Sequence, residues 1–216
     1  MLVLACSPKP GGRCIAGLSL DDDRLIRPVA PTATRALQLG DCAIDGDRWP
    51  RLLEIVTFEI EGEDDLPWQP ENLVVAPGDW QSDGQMDAAE ASERVASHLH
   101  EGGELFGNHG KAVPHGVATR GMESSLELVI VSDPTFIHDV SHGHHRARVS
   151  FCHGGGDWTL TATDPVLKAR LLERPVASYA WRDLGMGDSD ELLLTLSLAD
   201  VDNDWHTKLV AAVIPL

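Results

Sequence analysis

The sequence predicts an all-β protein made of small barrels. Three observations lead to this prediction: short apolar or alternating segments recur along the chain, turn-forming residues separate them about every 8–12 residues, and few segments have helical spacing. Long helices alternating with the strands would instead have predicted a parallel sheet. The chain has 216 residues, and its hydrophobic content of 43% can supply a substantial core.

The first 30 residues predict a meander of three strands. LVLACS and RCIAGLSL flank the stretch SPKPGGRC, and RLIRPVA follows the polar turn DDD. A hairpin centred on Pro10 would place Cys6 opposite Cys14. It would also bring Lys9 and Arg13 to either side of one tip.

The next segments predict a strand and one clear helix. LLEIVTFEI predicts a strand that ends in the acidic turn EGEDD, and the prolines of DLPWQPENLVV exclude a helix before Asn72. DAAEASERVASHLHEGG has the spacing of a helix, with Asp87 as its N-cap and Gly102 as its end. The apolar positions that define this helix are Ala88, Ala91, Val95 and Leu99.

The second half of the chain predicts more strands and a short helix. Residues 104–123 are rich in Gly and His without periodicity, which predicts a long loop. Strands follow at SLELVIVSD, ARVSFCH, DWTLTAT, LLLTLSL and HTKLVAAVI. Between them DPVLKARLLE predicts a helix with Asp164 as its N-cap and Pro165 at its first position, which proline favours.

Several of these motifs, taken in order, resemble one known family. SPKPGGRCIAG, LIRPV, WQPENLVV, SLELVI, WTLTATDP, LTLSLAD and KLVAAVI are similar to the motifs of the bacterial dual OB-containing domain family. The resemblance implies two five-stranded OB-type barrels in one chain. It also implies a nucleic-acid-binding or nucleotide-binding role associated with mobile elements and defence systems. We therefore expect an all-β fold of two OB-like β-barrels, residues 1–84 and 104–216, with one connecting or capping helix over 85–103.

The chain is strongly acidic, but its cations are unevenly distributed. Its 34 Asp and Glu residues oppose 17 Lys and Arg residues, and the net charge of −17 repels nucleic-acid phosphate. Residues 1–35 and 142–182 nevertheless carry a local excess of cations. Two interpretations stay open: a basic groove that binds single-stranded nucleic acid or a nucleotide, or an acidic surface that docks onto a basic protein partner or mimics the charge pattern of nucleic acid.

The candidate ligand-binding residues follow from how an OB barrel binds a single strand. Cations track the phosphate backbone of the strand, and aromatic rings stack on its bases. The candidates are Lys9, Arg13, Arg27, Trp68, Asn72, Arg146, Arg148 and Lys208. Two of them have a structural alternative, which is a buried ion pair with Glu54 or Glu71 for Arg27 and the hydrogen bonds of a turn for Asn72.

The motifs of catalysis and metal binding are weak, so we expect a noncatalytic protein without a cofactor or a resident metal. The histidines of HGHH, with His138 and His153, suit zinc or nickel in chemistry, but their spacing matches no closed site. An enzyme that uses this loop is the third hypothesis. DVDND lacks the glycine and glutamate of a calcium loop, and GGR is not followed by the lysine and helix of a phosphate loop.

The cysteines and the hydropathy predict where the protein resides. The four cysteines have neither a C-x-x-C pair nor zinc-finger spacing, which is typical of free thiols in a reducing compartment. The N-terminal segment lacks the features of a signal peptide, and no run has the roughly 20 apolar residues of a spanning helix. We expect a cytoplasmic protein that does not bind a membrane.

Overall fold

Two curled β-sheets pack against each other in this fold. A computed structural model describes all residues of the chain, 1–216. Four short α-helices accompany the strands: α1 (Leu39–Cys42), α2 (Ala88–Val95), α3 (His115–Ala118) and α4 (Pro165–Leu172). Turns of 3₁₀ helix follow at Ala96–His98 and Trp181–Leu184. No helix combines the length and the hydropathy that crossing a bilayer requires.

The first sheet is formed by strands from the first half of the chain. They are β1 (Leu2–Lys9), β2 (Gly12–Leu18), β3 (Leu25–Val29), β4 (Glu54–Thr57), β5 (Ile60–Glu63), β6 (Asn72–Val75) and β7 (Gln81–Gln85). Their spatial order is β5-β6-β3-β2-β1-β4-β7. The β3–β6 pair is parallel, and the other neighbours are antiparallel.

The second sheet is built on the same plan from the second half. Its strands are β8 (Ala112–Pro114), β9 (Leu126–Ser132), β10 (Thr135–Ser141), β11 (His144–His153), β12 (Gly156–Ala162), β13 (Ala177–Tyr179), β14 (Glu191–Leu198) and β15 (Trp205–Pro215). Their order is β13-β10-β11-β12-β15-β14-β9, with β8 also paired to β15. One pair, β12–β15, is again parallel.

These two curled sheets confirm the predicted all-β class and its two OB-like barrels. The sheets contain seven and eight strands instead of the five expected for each barrel, because short segments such as β7 and β13 extend their edges. The loop predicted over 104–123 contains β8 and α3. The exact limits of the two barrels stay a prediction.

The β1–β2 hairpin forms as predicted, but its predicted register was wrong by one residue. Lys9 pairs with Gly12, so the turn is centred between Pro10 and Gly11 and Cys6 does not face Cys14. The reason is that Gly11, with φ of 90°, supplies the positive φ that follows a proline in a type II turn. A shift of one residue reverses the faces of a strand. Lys9 and Arg13 therefore lie on opposite faces of the hairpin.

Helix α2 begins as predicted and ends earlier than predicted. Asp87 caps it by accepting a hydrogen bond from the Glu90 N–H at 2.8 Å. After a 3₁₀ turn the backbone is extended at Leu99, which forms a bridge with Leu128 of β9. Pairing with the second sheet therefore ends the helical segment before Gly102.

Shared hydrophobic clusters join the two halves. One buried cluster joins residues of the first sheet, of α2 and of the second sheet, and it contains Leu2, Leu4, Leu18, Val95, Leu128, Leu193 and Ile214. A second cluster places small side chains where β1 and β15 approach, including Ala5, Ala211 and Ala212. The Thr195 hydroxyl also donates to the Leu4 carbonyl at 2.7 Å, which ties β14 to β1.

Glu54 anchors the edge of the first sheet through an ion pair. Its carboxylate accepts two hydrogen bonds from the Arg48 guanidinium, at 2.9 and 2.7 Å, and one from the Ser82 hydroxyl at 2.6 Å. The Arg51 N–H also donates to it at 2.9 Å. The Arg48 contact is the main reason that the pKa of Glu54 falls to about 2.

This low pKa predicts a loss of stability in acid. A carboxyl group whose pKa is lower in the folded state stabilises the protein above its unfolded value, and this contribution disappears as pH falls. We expect Glu54→Gln to lower the free energy of unfolding by about 2 kcal/mol at neutral pH. Urea unfolding between about pH 5 and pH 2 should show this difference shrinking toward zero. A Glu63→Gln control, at an exposed position, should not change with pH, and a Glu54→Gln difference that is constant with pH would contradict the prediction.

Candidate functional site

The strongest candidate site is a cleft between the β1–β2 hairpin and helix α4, with a volume of about 620 Å³. Both halves of the chain contribute to it. We call it the arginine cleft, and it is lined by Cys6, Arg13, Trp49, Pro50, Arg51, Leu52, Asp164, Pro165, Val166, Ala169, Arg170, Glu173, Ala211 and Ala212. Its volume lies within the usual range of small-molecule sites.

Three guanidinium groups give the arginine cleft its positive charge. Arg13 lies on the hairpin, Arg51 in the loop before β4, and Arg170 on α4. None of the three makes an ion pair with a carboxylate. On a chain with a net charge of −17, three arginines without ion pairs at one cleft concentrate positive potential there.

An aromatic ring orients one of these arginines. The Arg13 guanidinium lies 4.7 Å from the centroid of the Trp49 ring, within the range of a cation–π contact. One of its nitrogens donates to the Cys6 carbonyl at 3.2 Å. These contacts fix the plane of the guanidinium and leave its other donors available to a ligand.

The carboxylate of Asp164 lies in the cleft wall, but it is committed to the backbone. It accepts hydrogen bonds from the N–H groups of Val166 and Leu167, each at 2.9 Å, and of Val213 at 3.0 Å. Burial raises the pKa of this carboxyl even though these N–H groups act in the opposite direction. Asp164 therefore caps α4 and joins it to β15.

The arrangement suits a ligand that combines a phosphate with a flat ring. Guanidinium groups bind phosphate oxygens through paired hydrogen bonds, and they also stack on planar rings. Pro50, Leu52, Pro165 and Ala169 provide apolar surface between the arginines. An inorganic anion would use the guanidinium groups and leave this apolar surface uncovered.

Comparison with known proteins places the chain in a family. The model of the dual OB-containing domain matches residues 1–213. The chain belongs to the dual OB-containing domain family. No curated protein and no solved structure matches it. The family resemblance of the sequence is thereby confirmed.

In this dual OB-containing domain, two of the predicted ligand-binding residues lie in a second pocket, on the other face of the hairpin. The pocket has a volume of about 380 Å³ and is lined by Lys9 and Arg27, among others. The Lys9 ammonium contacts Asp200 at 2.9 Å. Arg27 is almost fully buried and forms the ion pair with Glu71, at 3.1 Å, that was one of its two predicted alternatives.

The Arg27–Glu71 pair also connects the halves of the dual OB-containing domain. An Arg27 nitrogen donates to the Ser125 hydroxyl at 2.7 Å and to the Ser197 hydroxyl at 3.3 Å. Glu71 accepts from the hydroxyl of Ser125 and, at 3.1 Å, from its N–H. The two serines belong to the second half. Glu54, the other predicted partner of Arg27, pairs with Arg48.

Asn72 and Trp68 contact protein groups. Asn72 is completely buried, and its side-chain amide donates to Asp64 at 3.0 Å and to Gln69 at 3.2 Å. Trp68 is half-buried, with its ring centroid 5.0 Å from that of His115 in an edge-to-face arrangement. Both residues lie outside the arginine cleft.

The three predicted cations of the second half are also apart from the arginine cleft. Arg148 pairs with Asp139 at 3.0 Å, and Arg146 is exposed on the same strand. Lys208 is completely buried, and its ammonium donates to the carbonyls of Leu105 and Asn108 at 2.6 and 2.8 Å. Burial lowers the pKa of Lys208 to about 8.

The histidine-rich segment does not gather a set of metal ligands in this dual OB-containing domain. No group of three or more His, Cys, Asp or Glu side chains has an arrangement that could hold a metal ion. His142 lies in the β10–β11 turn, while His138 and His145 form a pair whose ring nitrogens are 2.7 Å apart. The second nitrogen of His138 contacts the Arg174 carbonyl at 2.7 Å, so this pair has a structural role.

Of the predicted residues, only Arg13 therefore lies in the arginine cleft. Sequence reasoning missed Trp49, Arg51 and Arg170. The run RWPR, at 48–51, was a usable signal because it places two arginines beside an aromatic ring. Nothing in the sequence indicates that Arg170 lies near this run, because α4 reaches it only through the packing of the two sheets.

Proposed function

We propose that this dual OB-containing domain is a noncatalytic recognition module that binds single-stranded nucleic acid or a nucleotide in the arginine cleft. OB barrels bind single strands with cations and stacking rings. The observation that carries the proposal is the set of three guanidinium groups without acidic partners around an apolar floor. The protein as a whole is strongly acidic, and these three arginines add positive charge at one place on its surface.

The proposed ligand uses both properties of the arginine cleft. Its phosphates contact Arg13, Arg51 and Arg170, and a base packs on the apolar floor beside Trp49. Stacking of a base contributes about 1–3 kcal/mol and does not depend on sequence. The module is therefore expected to discriminate weakly among bases and to depend strongly on salt.

The test is the salt dependence of oligonucleotide binding. Fluorescence anisotropy of a labelled single strand of about 12 nucleotides, as DNA and as RNA, gives Kd at about 50 and 200 mM salt. Three phosphate contacts predict a slope of log K against log salt of about −2, so binding weakens about 20-fold over this range. Arg51→Gln with Arg170→Gln removes two contacts and should reduce the slope to about −0.7.

A matched control separates this site from general electrostatics. Arg182 is also exposed but lies in a 3₁₀ turn outside the arginine cleft. Arg182→Gln changes the net charge of the protein without touching the site, and it should leave the slope unchanged. Absence of binding at low salt by the folded protein would reject the proposal and favour a basic protein partner. The same slope in the double variant and in the control would place the site elsewhere.

A further inference from the structure

A cavity larger than the arginine cleft lies away from it and has the opposite charge. Its volume is about 740 Å³, and it is open to solvent and lined by the 3₁₀ turn after α2, the glycine-rich segment 102–107, α3 with the residues after it, and the start of β9. The arginine cleft shares no residue with it. The proposed nucleic-acid function makes no use of this cavity.

The wall of the cavity contains carboxylates and no lysine or arginine. Glu104, Glu123 and Glu127 line it. Its two imidazoles each lie near a carboxylate, with 3.5 Å between His98 and Asp23 and 3.6 Å between His100 and Glu127. This charge distribution disfavours an anionic ligand and favours a cation.

Three polar atoms of this wall are buried and lack a hydrogen-bond partner. They are Nε2 of His98, Nε2 of His100 and Oε2 of Glu127, whereas Oε1 of Glu127 accepts from the Phe106 N–H at 2.7 Å. Most buried polar groups are hydrogen-bonded, so three exceptions at one cavity require an explanation. A hydrogen-bond donor bound beside Glu127 would satisfy its Oε2.

Burial raises the pKa of the Glu127 carboxyl, which is the effect expected of a carboxylate that lacks a cationic partner. Loss of hydration raises the pKa of Glu127, although the Phe106 N–H and the positive charges of His100 and Lys208 act in the opposite direction. The ammonium of Lys208 does not line the cavity, because it is directed to the carbonyls of Leu105 and Asn108. A cation in the cavity would restore part of the stabilisation that the carboxylate loses by burial.

The remaining wall is mostly apolar, with Ser97 and Ser124 as its polar side chains. Leu99, Phe106, Val113, Val117, Met122 and Leu126 line it. Glycines at Gly102, Gly103 and Gly107 leave backbone groups accessible at the edge. A cavity of this composition fits a ligand with an apolar body and one charged end.

We propose that this cavity is a second binding site, for a small organic amine whose ammonium group pairs with Glu127 and whose apolar body packs on the Phe106 side of the wall. The site is independent of the arginine cleft. Its ligand is a small cation, whereas the ligand proposed for the arginine cleft carries negatively charged phosphate.

The test compares matched probes by calorimetric titration. 2-Phenylethylamine carries a ring and an ammonium group, and 2-phenylethanol has the same body without the charge. The amine should bind at one site with a Kd of about 1 mM or tighter, as expected for a ligand of this size. The alcohol should bind at least about tenfold more weakly, because it lacks the charge-assisted hydrogen bond.

Two variants locate the binding. Glu127→Gln keeps an acceptor for the Phe106 N–H and removes the charge, so the affinity for the amine should fall about tenfold. Val117→Trp, at a position 53% exposed, should fill the cavity without disturbing the core, and Val176→Trp, 55% exposed and outside the cavity, is its control. Thermal unfolding of each variant establishes that it is folded.

Three outcomes would overturn the proposal. They are absence of saturable amine binding, equal affinities for the amine and the alcohol, and amine binding that survives both Glu127→Gln and Val117→Trp. Oligonucleotide binding, measured in parallel, should not change in either variant. The two proposed binding sites can therefore be confirmed or rejected independently of each other.

Discussion

Replacing Arg27 with Met is expected to lower the free energy of unfolding by about 3–5 kcal/mol. The substitution leaves the Glu71 carboxylate buried without its guanidinium partner, and isolated buried charges are strongly unfavourable. It also removes the donors to the Ser125 and Ser197 hydroxyls, which belong to the other half of the chain. Urea unfolding at neutral pH measures the change.

The double variant Arg27→Met with Glu71→Gln is the control for this explanation. Glutamine keeps an oxygen that can accept from the Ser125 N–H and removes the unpaired charge. The double variant should therefore be more stable than Arg27→Met alone by about 1–2 kcal/mol. If Glu71→Gln adds its own loss of stability to that of Arg27→Met, the unpaired Glu71 carboxylate is not the cause of the destabilisation. The same conclusion follows if Arg27→Met stays within about 1 kcal/mol of the wild type.

Asp164→Ala is expected to lower the free energy of unfolding by about 3 kcal/mol. Loss of a helix N-cap accounts for about 1 kcal/mol, and the buried Val213 N–H left without an acceptor accounts for about 1–3 kcal/mol more. Chemical denaturation provides the measurement. Asp87→Ala is a matched control, because Asp87 caps α2 through the Glu90 N–H and is exposed; it should lose about 1 kcal/mol.

The comparison of these two caps tests the role of Asp164 beneath the arginine cleft. An Asp164→Ala loss no larger than that of Asp87→Ala would show that the Val213 contact contributes nothing. A larger loss means that the position of α4, and with it Arg170, depends on this carboxylate. The oligonucleotide affinity of a folded Asp164→Ala protein should then also fall.

The strands were predictable where apolar residues are regularly spaced, and the missed elements lack that regularity. SLELVIVSD and LLLTLSL correspond closely to β9 and β14. Strand β10 was not predicted because its inward positions are Phe136 and His138, so a buried histidine interrupts the apolar pattern. The ring nitrogens of His138 contact the Arg174 carbonyl, 36 residues later, and His145, seven residues later on the neighbouring strand.

The candidate site was less predictable than the fold because it depends on contacts between the two halves. In the sequence HTKLVAAVI, Lys208 resembles an exposed lysine that could bind a ligand. Its ammonium instead donates to carbonyls of a loop about a hundred residues earlier in the chain. Arg27 was correctly given an ion-pair alternative, since an arginine beside apolar strand residues needs a partner. Arg51 and Arg170 line the same cleft because the two sheets pack together, and no local sequence pattern predicts that packing.

The shared core has a consequence for how quickly a ligand can be captured. Because Leu2, Leu128 and Ile214 belong to one buried cluster that joins the two halves, we expect the walls of the arginine cleft to keep the same separation when a ligand binds. Docking then involves no hinge closure and little loss of chain entropy. Association is expected at the rate of a rigid encounter, so differences in affinity between ligands should appear as differences in residence time.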